Sequence, residues 1–332
     1  MNNVQDLQAL SGRFLSYLRA RLGIPELDFA TPLSRLEGGY ETSTYRFRLG
    51  GAPPELAGPL VLRLYPEFYG TGSAIWESTV QNSLAKAKYP VARVHLLCTE
   101  LSILGGAFFV MDHLPGRSLA TAPHEDMPGL LGQTQAQLHN IDPSPLIKAL
   151  AGKGIHEQDY SLAGRFDWLC QRADKLPWLR QAMTWLRRND PSGPETPAIC
   201  HGDFHPLNVL YDGHRVTGIL DWGGLTLADP AYDVGYTLVL LTIAFKHVAV
   251  SMEGFSSVDF DRMADRYLAA YRAHRDLDSA NLDYYRVRRC VRALVEGAEG
   301  QEIWQHPLIV RDLLACIHQL AGIQLTVPLT DS

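Results

Sequence analysis

The segment that most constrains the fold is residues 199–222, ICHGDFHPLNVLYDGHRVTGILDW. An apolar run ends at Cys200, a polar loop follows, and two further apolar runs flank the dipeptide Asp212-Gly213. Asp-Gly favours the positive φ angles of a tight hairpin turn. The pattern therefore predicts a buried strand, a loop and a β-hairpin, with polar side chains where the strands begin and end.

The patterns on either side of this segment divide the chain into two parts. A first amphipathic helix ends at Gly23 and has its apolar residues at Leu7, Leu10, Phe14, Leu18 and Leu22. Strand patterns with one helix among them (72–87) follow at residues 32–50, 58–66, 91–99 and 107–114. Helical spacing dominates after Gly116, with a break near Pro177. We therefore expect an α+β fold, with a small antiparallel β-sheet lobe at 1–112 and a larger, mainly helical lobe at 113–332.

Length and composition exclude several classes of protein. With 332 residues, 46% of them hydrophobic, the chain can bury the cores of two lobes. Its 36 acidic and 30 basic residues form no long blocks of like charge, which argues against a nucleic acid partner. No apolar stretch is long enough to span a bilayer, so we expect no membrane partner. Five scattered cysteines without a C-x-x-C pair are typical of a cytoplasmic protein, and the sequence leaves monomer and homodimer open.

Three polar residues of the opening segment suit one kind of chemistry. Asp203 and Asn208 stand at opposite ends of the loop after Cys200, and Asp221 follows the second strand of the hairpin. Phosphoryl transfer from ATP requires oxygen ligands for Mg²⁺ and a carboxylate that orients the incoming hydroxyl and accepts its proton. Each residue alone is equally explained as a turn-forming polar side chain. Their combined spacing among the predicted strands favours a phosphoryl-transfer site.

The spacing H-x-D-x-x-x-x-N followed by I-L-D-W resembles the aminoglycoside phosphotransferase and choline kinase-like superfamily, whose members are distant relatives of the protein kinases. The resemblance extends into LADPAYDVGY at 227–236 and into the order of the lobes. It implies a two-lobed protein kinase-like fold. It also implies ATP- and Mg²⁺-dependent transfer of the γ-phosphoryl group to a hydroxyl of a small molecule, an antibiotic or a metabolite. By this resemblance Asp203 is the catalytic base, and Asn208 and Asp221 are the magnesium ligands.

Other residues of the helical lobe receive structural roles from the same resemblance. His201 shapes the catalytic loop, and Asp229 and Asp233 brace it. As helix N-cap or loop residues, the two aspartates also have an ordinary structural explanation. Leu207 stands where family members often have glycine, which alters the backbone freedom beside Asn208 without removing a functional group.

The small lobe offers a glycine-rich turn in EGGYETSTYRF. Backbone amides at Gly38 and Gly39 are able to approach phosphates, although a Gly-Gly pair is also common in plain hairpin turns. The family pattern G-G-x-S-N-x-T-Y is matched at Gly38, Gly39, Thr44 and Tyr45, whereas Glu41 and Thr42 replace its serine and asparagine. The resemblance implies nucleotide contacts at Gly38, Gly39 and Thr44.

Two further pairs complete the predicted nucleotide site. Arg63 lies inside a predicted strand, where a cation requires an anionic partner, and Glu77 follows on the predicted helix. The pair resembles the strand lysine and helix glutamate of kinases; the alternative is an edge strand with both side chains in solvent. The resemblance also implies that the segment joining the lobes contacts adenine at Asp112 and Leu114.

The phosphate acceptor is the least constrained part of the prediction. Residues 241–300 carry equal numbers of acidic and basic side chains, which gives little support for a polycationic aminoglycoside. In RVRRCVR the apolar residues form one helical stripe, so we expect the arginines at 286, 288, 289 and 292 to form a solvated face rather than a binding patch. Four aromatic residues either enclose an apolar or quaternary-amine substrate or belong to the core: Trp222, Tyr284, Tyr285 and Trp304.

Two alternatives compete with a small-molecule kinase. One is a catalytically silent, nucleotide-binding pseudokinase that acts as a binding or regulatory module, against which the intact Asp203, Asn208 and Asp221 argue. The other is a protein kinase, which is disfavoured because no activation segment with A-P-E follows Asp221.

Overall fold

The structure is a computed structural model, which describes residues 3–36, 42–191, 197–249 and 258–328. Its contacts divide the chain into two compact units. The first unit comprises Met1–Pro115 with Pro145–Ile155, and the second comprises Gly116–Ser144 with His156–Ser332. An antiparallel sheet forms the centre of the first unit and helices dominate the second, which confirms the α+β prediction.

The helices are α1 (Asn3–Leu22), α2 (Gly72–Lys86), α3 (Leu101–Leu104), α4 (Met127–His139), α5 (Ser144–Ala151), α6 (Leu162–Ala173), α7 (Arg180–Arg188), α8 (Pro230–Val239), α9 (Lys246–Ala249), α10 (Phe260–Arg272), α11 (Leu282–Ala298) and α12 (Pro307–Ala321). The strands are β1 (Asp28–Arg35), β2 (Ser43–Gly50), β3 (Leu60–Leu64), β4 (Val94–Cys98), β5 (Phe108–Asp112), β6 (Arg117–Ser118), β7 (Ala198–Cys200), β8 (Val209–Tyr211), β9 (Val216–Ile219) and β10 (Thr226–Ala228).

The sheet of the first unit has the strand order β1-β2-β3-β5-β4 and is antiparallel throughout. Successive side chains of a strand alternate between faces, and the central strands β3 and β5 bury side chains on both faces of the sheet. Leu62 packs on one face with Phe14 of α1, and Val61 packs on the other with Ala74 of α2. As predicted, α1 ends before Gly23, which adopts a φ of 70°.

The predicted hairpin is present in the second unit. Strands β8 and β9 pair antiparallel, with Val209 opposite Ile219. The turn is a four-residue loop in which the carboxylate of Asp212 accepts hydrogen bonds from the amides of His214 (3.0 Å) and Arg215 (3.0 Å). The two ends of the hairpin, near residues 208 and 221, therefore lie side by side.

Four helices of the second unit pack around α11, namely α6, α7, α8 and α12, whereas α4 and α10 pack against each other. The predicted solvated face of this helix is wrong for two residues, because Arg288 is 1% exposed and Arg289 is 3% exposed. The apolar stripe was identified correctly, but neighbouring helices also cover the sides of α11 that carry these arginines. No helix among the described residues is long and apolar enough to cross a membrane.

Candidate functional site

The predicted catalytic loop, which carries Asp203, begins where β7 ends, and a glycine sets its path. Strand β7 pairs with β10 in the core, and Gly202 follows with a φ of 79°. A Cβ atom at Gly202 would lie 2.3 Å from the carbonyl oxygen of Gly224, so neither the φ angle nor the space admits a side chain. The chain therefore turns sharply away from the strand directly before Asp203.

A buried carboxylate fixes the backbone of this loop. Asp233, in the first turn of α8, accepts hydrogen bonds from the amides of His201 (2.9 Å) and Gly202 (2.7 Å) and lies 3.0 Å from Nε2 of His139. Burial raises the pKa of Asp233, but the hydrogen bond and charge of His139 outweigh it, so the pKa lies below its ordinary value. Asp229 instead caps α8 by accepting a hydrogen bond from the amide of Ala231 (2.9 Å).

His201 connects the loop to the end of the hairpin. Its Nδ1 accepts a hydrogen bond from the amide of Asp203 (3.2 Å), and its Nε2 donates to the carbonyl of Leu220 (2.9 Å). These two partners require the neutral tautomer with the proton on Nε2. The ring is fully buried and lies 4.6 Å from the ring of Trp222. His201 thus holds Asp203 and the residue before Asp221 in one arrangement, as its predicted role requires.

Asp203 is partly accessible, with 39% of its side chain exposed. Its Oδ2 lies 3.4 Å from Nε2 of His205 and 3.4 Å from Nδ2 of Asn208, whereas no described residue hydrogen-bonds its Oδ1. Burial raises the pKa of the Asp203 carboxyl, but the charge of His205 and, to a smaller extent, of Arg289 lowers it well below its ordinary value. The carboxylate is therefore ionised at neutral pH, with one oxygen accessible to a ligand.

Asn208 and Asp221 lie at the same end of the hairpin. The Nδ2 group of Asn208 donates to the backbone carbonyl of Asp203 (3.0 Å), which orients the amide and leaves its oxygen as the accessible acceptor. The amide of Leu220 donates to the carbonyl of Asn208 (2.8 Å), and Asp221 is the next residue, two positions after the end of β9. Asp221 is exposed, has a φ of 61°, and makes no hydrogen bond or ion pair with the described part of the chain. One amide oxygen and one carboxylate are ligands that suit Mg²⁺.

The first unit contains the predicted partners of the nucleotide. Nη2 of Arg63 on β3 lies 3.2 Å from Oε1 of Glu77 on α2, and their side chains are 21% and 7% exposed. Thr44 lies opposite Arg63 in the β2–β3 ladder. The predicted ion pair is thus present inside the unit rather than in solvent, and the nucleotide-binding role of these residues stays a prediction.

The other predicted nucleotide contacts lie at different places. Gly38 and Gly39 fall outside the described residues. Asp112 ends β5 and accepts a hydrogen bond from Nε2 of His95 (2.7 Å). Leu114 follows two residues later, and its amide donates no hydrogen bond within the described ranges.

Residues distant in sequence complete the site, and the sequence did not single them out. His139 reaches Asp233 from α4, and only the fold brings these two residues together. The positive φ of Gly202 leaves a weak local signal, since glycine is the residue that tolerates it. The aromatic residues proposed as an enclosure for the acceptor belong to the core: Trp222, Tyr284, Tyr285 and Trp304 are all buried.

Comparison with curated proteins finds two kinds of relative. Acyl-CoA dehydrogenase family member 11 of Gallus gallus is 30% identical over 178 residues, which cover 48% of this chain and 22% of that protein. Aminoglycoside 3'-phosphotransferase of Streptomyces ribosidificus is 33% identical over 95 residues, which cover 28% of this chain and 32% of that protein. The chain thus spans well under half the length of either relative, so their names assign no activity to it.

Solved structures share the fold along nearly the whole chain. Macrolide 2'-phosphotransferase of Brachybacterium faecium is 20% identical with a TM-score of 0.57, and the match covers 94% of this chain and 98% of that one. The aminoglycoside phosphotransferase APH(4)-Ia, solved with AMP-PNP and hygromycin B, is 18% identical with a TM-score of 0.59, covering 93% and 99%. These likenesses confirm the predicted kinase-like fold.

The profile of the phosphotransferase enzyme family matches residues 32–288. This range includes the catalytic loop, the hairpin and the ion pair of the first unit. It also spans more than half of the sequence, and the resemblance inferred from the motif is thereby confirmed. The chain belongs to the phosphotransferase enzyme family.

Proposed function

We propose that the chain transfers the γ-phosphoryl group of ATP to a hydroxyl group of a small molecule in a Mg²⁺-dependent reaction. One observation carries the proposal: Asp203 and Asn208 are in contact, and Asp221 directly follows Leu220, whose amide is bonded to the carbonyl of Asn208. Family membership supports the reaction class. The aminoglycoside phosphotransferase solved with AMP-PNP and hygromycin B supports a nucleotide donor and a small-molecule acceptor.

In this proposal Asp203 orients the acceptor. The hydroxyl oxygen forms a bond to the γ-phosphorus, the bond to the bridging oxygen breaks, and ADP leaves with the electron pair. Oδ1 of Asp203, which no described residue engages, accepts the hydroxyl proton. The low pKa makes Asp203 a weak base, which suits a loose transition state because the nucleophile needs little deprotonation before the new bond forms.

The residues present fit a divalent cation. The oxygen of the Asn208 amide and the carboxylate of Asp221 would hold Mg²⁺, which supplies neutralisation of charge on the phosphates when bound. Asp221 adopts a φ of 61°, an uncommon conformation for a residue other than glycine, and such strain concentrates at functional sites. The Asn208 side chain is held through its Nδ2 group, and no side chain among the described residues engages its amide oxygen or the carboxylate of Asp221, so both are free to act as ligands.

In the first unit, Arg63 is the cation assigned to the phosphates. Glu77 holds its guanidinium at 3.2 Å, which limits the orientations of a long side chain. The backbone at Asp112 and Leu114 is assigned to adenine, and the amide of Leu114 is available for it. A pseudokinase requires none of Asp203, Asn208 and Asp221, so the presence of all three argues against that alternative.

The test is the pair of variants Asp203→Ala and Asp203→Asn. The unmodified chain is first incubated with ATP, Mg²⁺ and a panel of hydroxylated metabolites and antibiotics, and the product is identified by a mass gain of one phosphate. We expect both variants to lose about 10²- to 10⁴-fold in kcat, the range for removal of a positioned acid–base group. Nucleotide affinity, measured by calorimetry, should be retained. Undiminished turnover in both variants would reject the assignment of Asp203.

A further inference from the structure

The second unit encloses a cavity of about 120 Å³. Its walls come from α6, α8 and α11 and contain cationic and aromatic residues but no acidic residue. The lining residues are Arg165, Trp168, Leu169, Tyr232, Tyr236 and Arg292. A void in a well-packed core is lined by apolar groups and stays dry. The two guanidinium groups in this wall therefore distinguish the cavity from a packing defect.

Positive charge exceeds negative charge around this cavity. Two of its four guanidinium groups share one carboxylate, because Glu296 pairs with both Arg289 (3.1 Å) and Arg292 (2.6 Å). Arg165 and Arg288 form no ion pair with any residue in the described ranges. Arg165 donates only to backbone carbonyls, and Arg288 donates to the carbonyl of Leu162 (3.2 Å). The excess positive charge is thus carried by two side chains that form no ion pair with a described carboxylate.

Arg288 is the most deeply buried of these cations. It is 1% exposed, and within the described chain its Nε and Nη1 atoms have no hydrogen-bond partner. Its guanidinium lies 4.9 Å from the ring of Phe166 and 5.6 Å from that of Tyr232. Stacking on aromatic rings recovers part of the lost hydration, but unmade hydrogen bonds of a buried cation remain costly. Burial, with a smaller contribution from the charge of Arg292, lowers the pKa of Arg165.

Two contacts connect the cavity with the candidate active site. Nη2 of Arg165 donates to the carbonyls of Gly223 (3.2 Å) and Leu225 (3.1 Å), in the segment that directly follows Asp221. The guanidinium of Arg165, in the cavity wall, therefore lies beside the segment that follows the predicted magnesium ligand Asp221.

We propose that the acceptor carries an anionic group, a carboxylate or a phosphate, which binds to Arg165 and Arg292 in the cavity wall, beside the rings of Trp168 and Tyr232. The buried charge of Arg288, whose guanidinium lies 5.6 Å from the Tyr232 ring, adds to the attraction. The inference rests on the proposed function and adds the charge of the acceptor. An anion supplies hydrogen-bond acceptors to the guanidinium forks and balances their charge. A polycationic acceptor would instead be repelled by the same groups.

Four matched probes test the inference. Each has a hydroxymethyl group on a benzene ring, and the para substituent is a carboxylate, a phosphate ester, a carboxamide or an aminomethyl group. Affinity for the full chain is measured by calorimetry, and transfer from ATP by mass spectrometry. We expect the carboxylate or the phosphate probe to bind about 10- to 100-fold more tightly than the carboxamide, the effect of one or two charged hydrogen bonds. The aminomethyl probe should bind most weakly.

Two variants locate the binding group. Arg288→Met keeps much of the apolar volume and should reduce affinity for the anionic probe about tenfold or more, with little effect on the carboxamide. Arg165→Gln is the second variant, for the case in which Arg288→Met does not fold. The matched control is Arg311→Gln, since Arg311 has 65% of its side chain exposed on α12 and pairs with Asp312. The control should leave the affinity for every probe unchanged.

The outcomes separate this inference from the proposed function. Equal binding of the four probes, tighter binding of the aminomethyl probe or binding of none overturns the inference. Transfer to neutral or cationic probes at the same rate as to anionic ones also overturns it, and leaves the proposed function standing. Anion-selective binding that is lost in Arg288→Met supports the inference. If the chain binds anions in this way but ATP turns over with no hydroxylated compound, the proposed function fails instead.

Discussion

Replacement of Asp233 by asparagine tests the brace of the catalytic loop. The fully buried carboxylate engages two amides and His139 at 2.7–3.0 Å. Asparagine keeps the size, but it removes the charge and places an NH₂ group against donors. Hydrogen bonds to a charged group contribute about 1.5–3 kcal/mol each, and the remaining amide oxygen of the asparagine retains part of this stabilisation. We expect the free energy of unfolding to fall by about 3–5 kcal/mol, the range for breaking a buried charged pair.

The effect of Asp233→Asn on the free energy of unfolding should also depend on pH. In the folded chain the pKa of Asp233 is lowered, because His139 outweighs the effect of burial. A lowered pKa in the folded state stabilises the protein fully above the unfolded-state value of about 3.9, and the stabilisation is lost as the pH falls through the folded value. The difference between the unmodified chain and Asp233→Asn should therefore be constant above about pH 5 and shrink at more acidic pH.

Thermal and denaturant unfolding measure the difference in free energy of unfolding between the unmodified chain and Asp233→Asn. The variant Asp229→Asn is the control. Asp229 lies four residues earlier and caps the same helix, α8. Asparagine caps a helix about as well as aspartate, so the control should lose less than about 1 kcal/mol. For Asp233→Asn the predicted loss corresponds to a fall in Tm of about 6–10 °C, at roughly 2 °C per kcal/mol for a chain of this size. Equal losses in the two variants would refute the role assigned to Asp233.

Three other substitutions test charge and backbone at the site. In His205→Gln the pKa of Asp203 rises toward its ordinary value, so the acid limb of the kcat/KM profile should move to higher pH; an unmoved limb contradicts this. Glu77→Gln removes the carboxylate 3.2 Å from a largely buried guanidinium and should lower the free energy of unfolding by about 1–3 kcal/mol in urea titration, with a raised KM for ATP. Gly202→Ala places a Cβ 2.3 Å from a carbonyl oxygen and should cost about 2–4 kcal/mol, whereas Gly213→Ala, in open space at positive φ, should cost about 1–2 kcal/mol.

The sequence was informative where structure depends on neighbouring residues. The end of α1 at Gly23 and the hairpin turn at Asp212-Gly213 follow from local backbone preferences, and both occur where they were expected. The pairing of Arg63 with Glu77 was also predictable, because a cation inside a buried strand needs an anion and the next helix supplies one. Local chemistry thus accounts for most of the elements and for the residues gathered at the hairpin.

Contacts between distant elements were not predictable in the same way. The helical periodicity of α11 identifies one apolar stripe, but it contains no information about which helices cover the remaining sides. Arg288 and Arg289 were therefore expected in solvent and are buried. The hydrogen bond between His139 and Asp233 joins residues from α4 and α8, and neither residue carries a local pattern that indicates the other.

The balance of charge in a stretch of sequence also differs from the balance of charge at a site. Acidic and basic residues are equal in number across residues 241–300, which suggests a neutral surface. Among those acidic residues that the structure describes, only Glu296 forms an ion pair with the arginines of α11 that surround the cavity. The fold brings Arg165 from α6 to the same place without a carboxylate. Because electrostatic attraction weakens with distance and is screened by salt, the groups within a few ångströms set the charge that a bound acceptor meets. The local excess of guanidinium groups therefore favours an anionic acceptor even though the surrounding sequence is balanced.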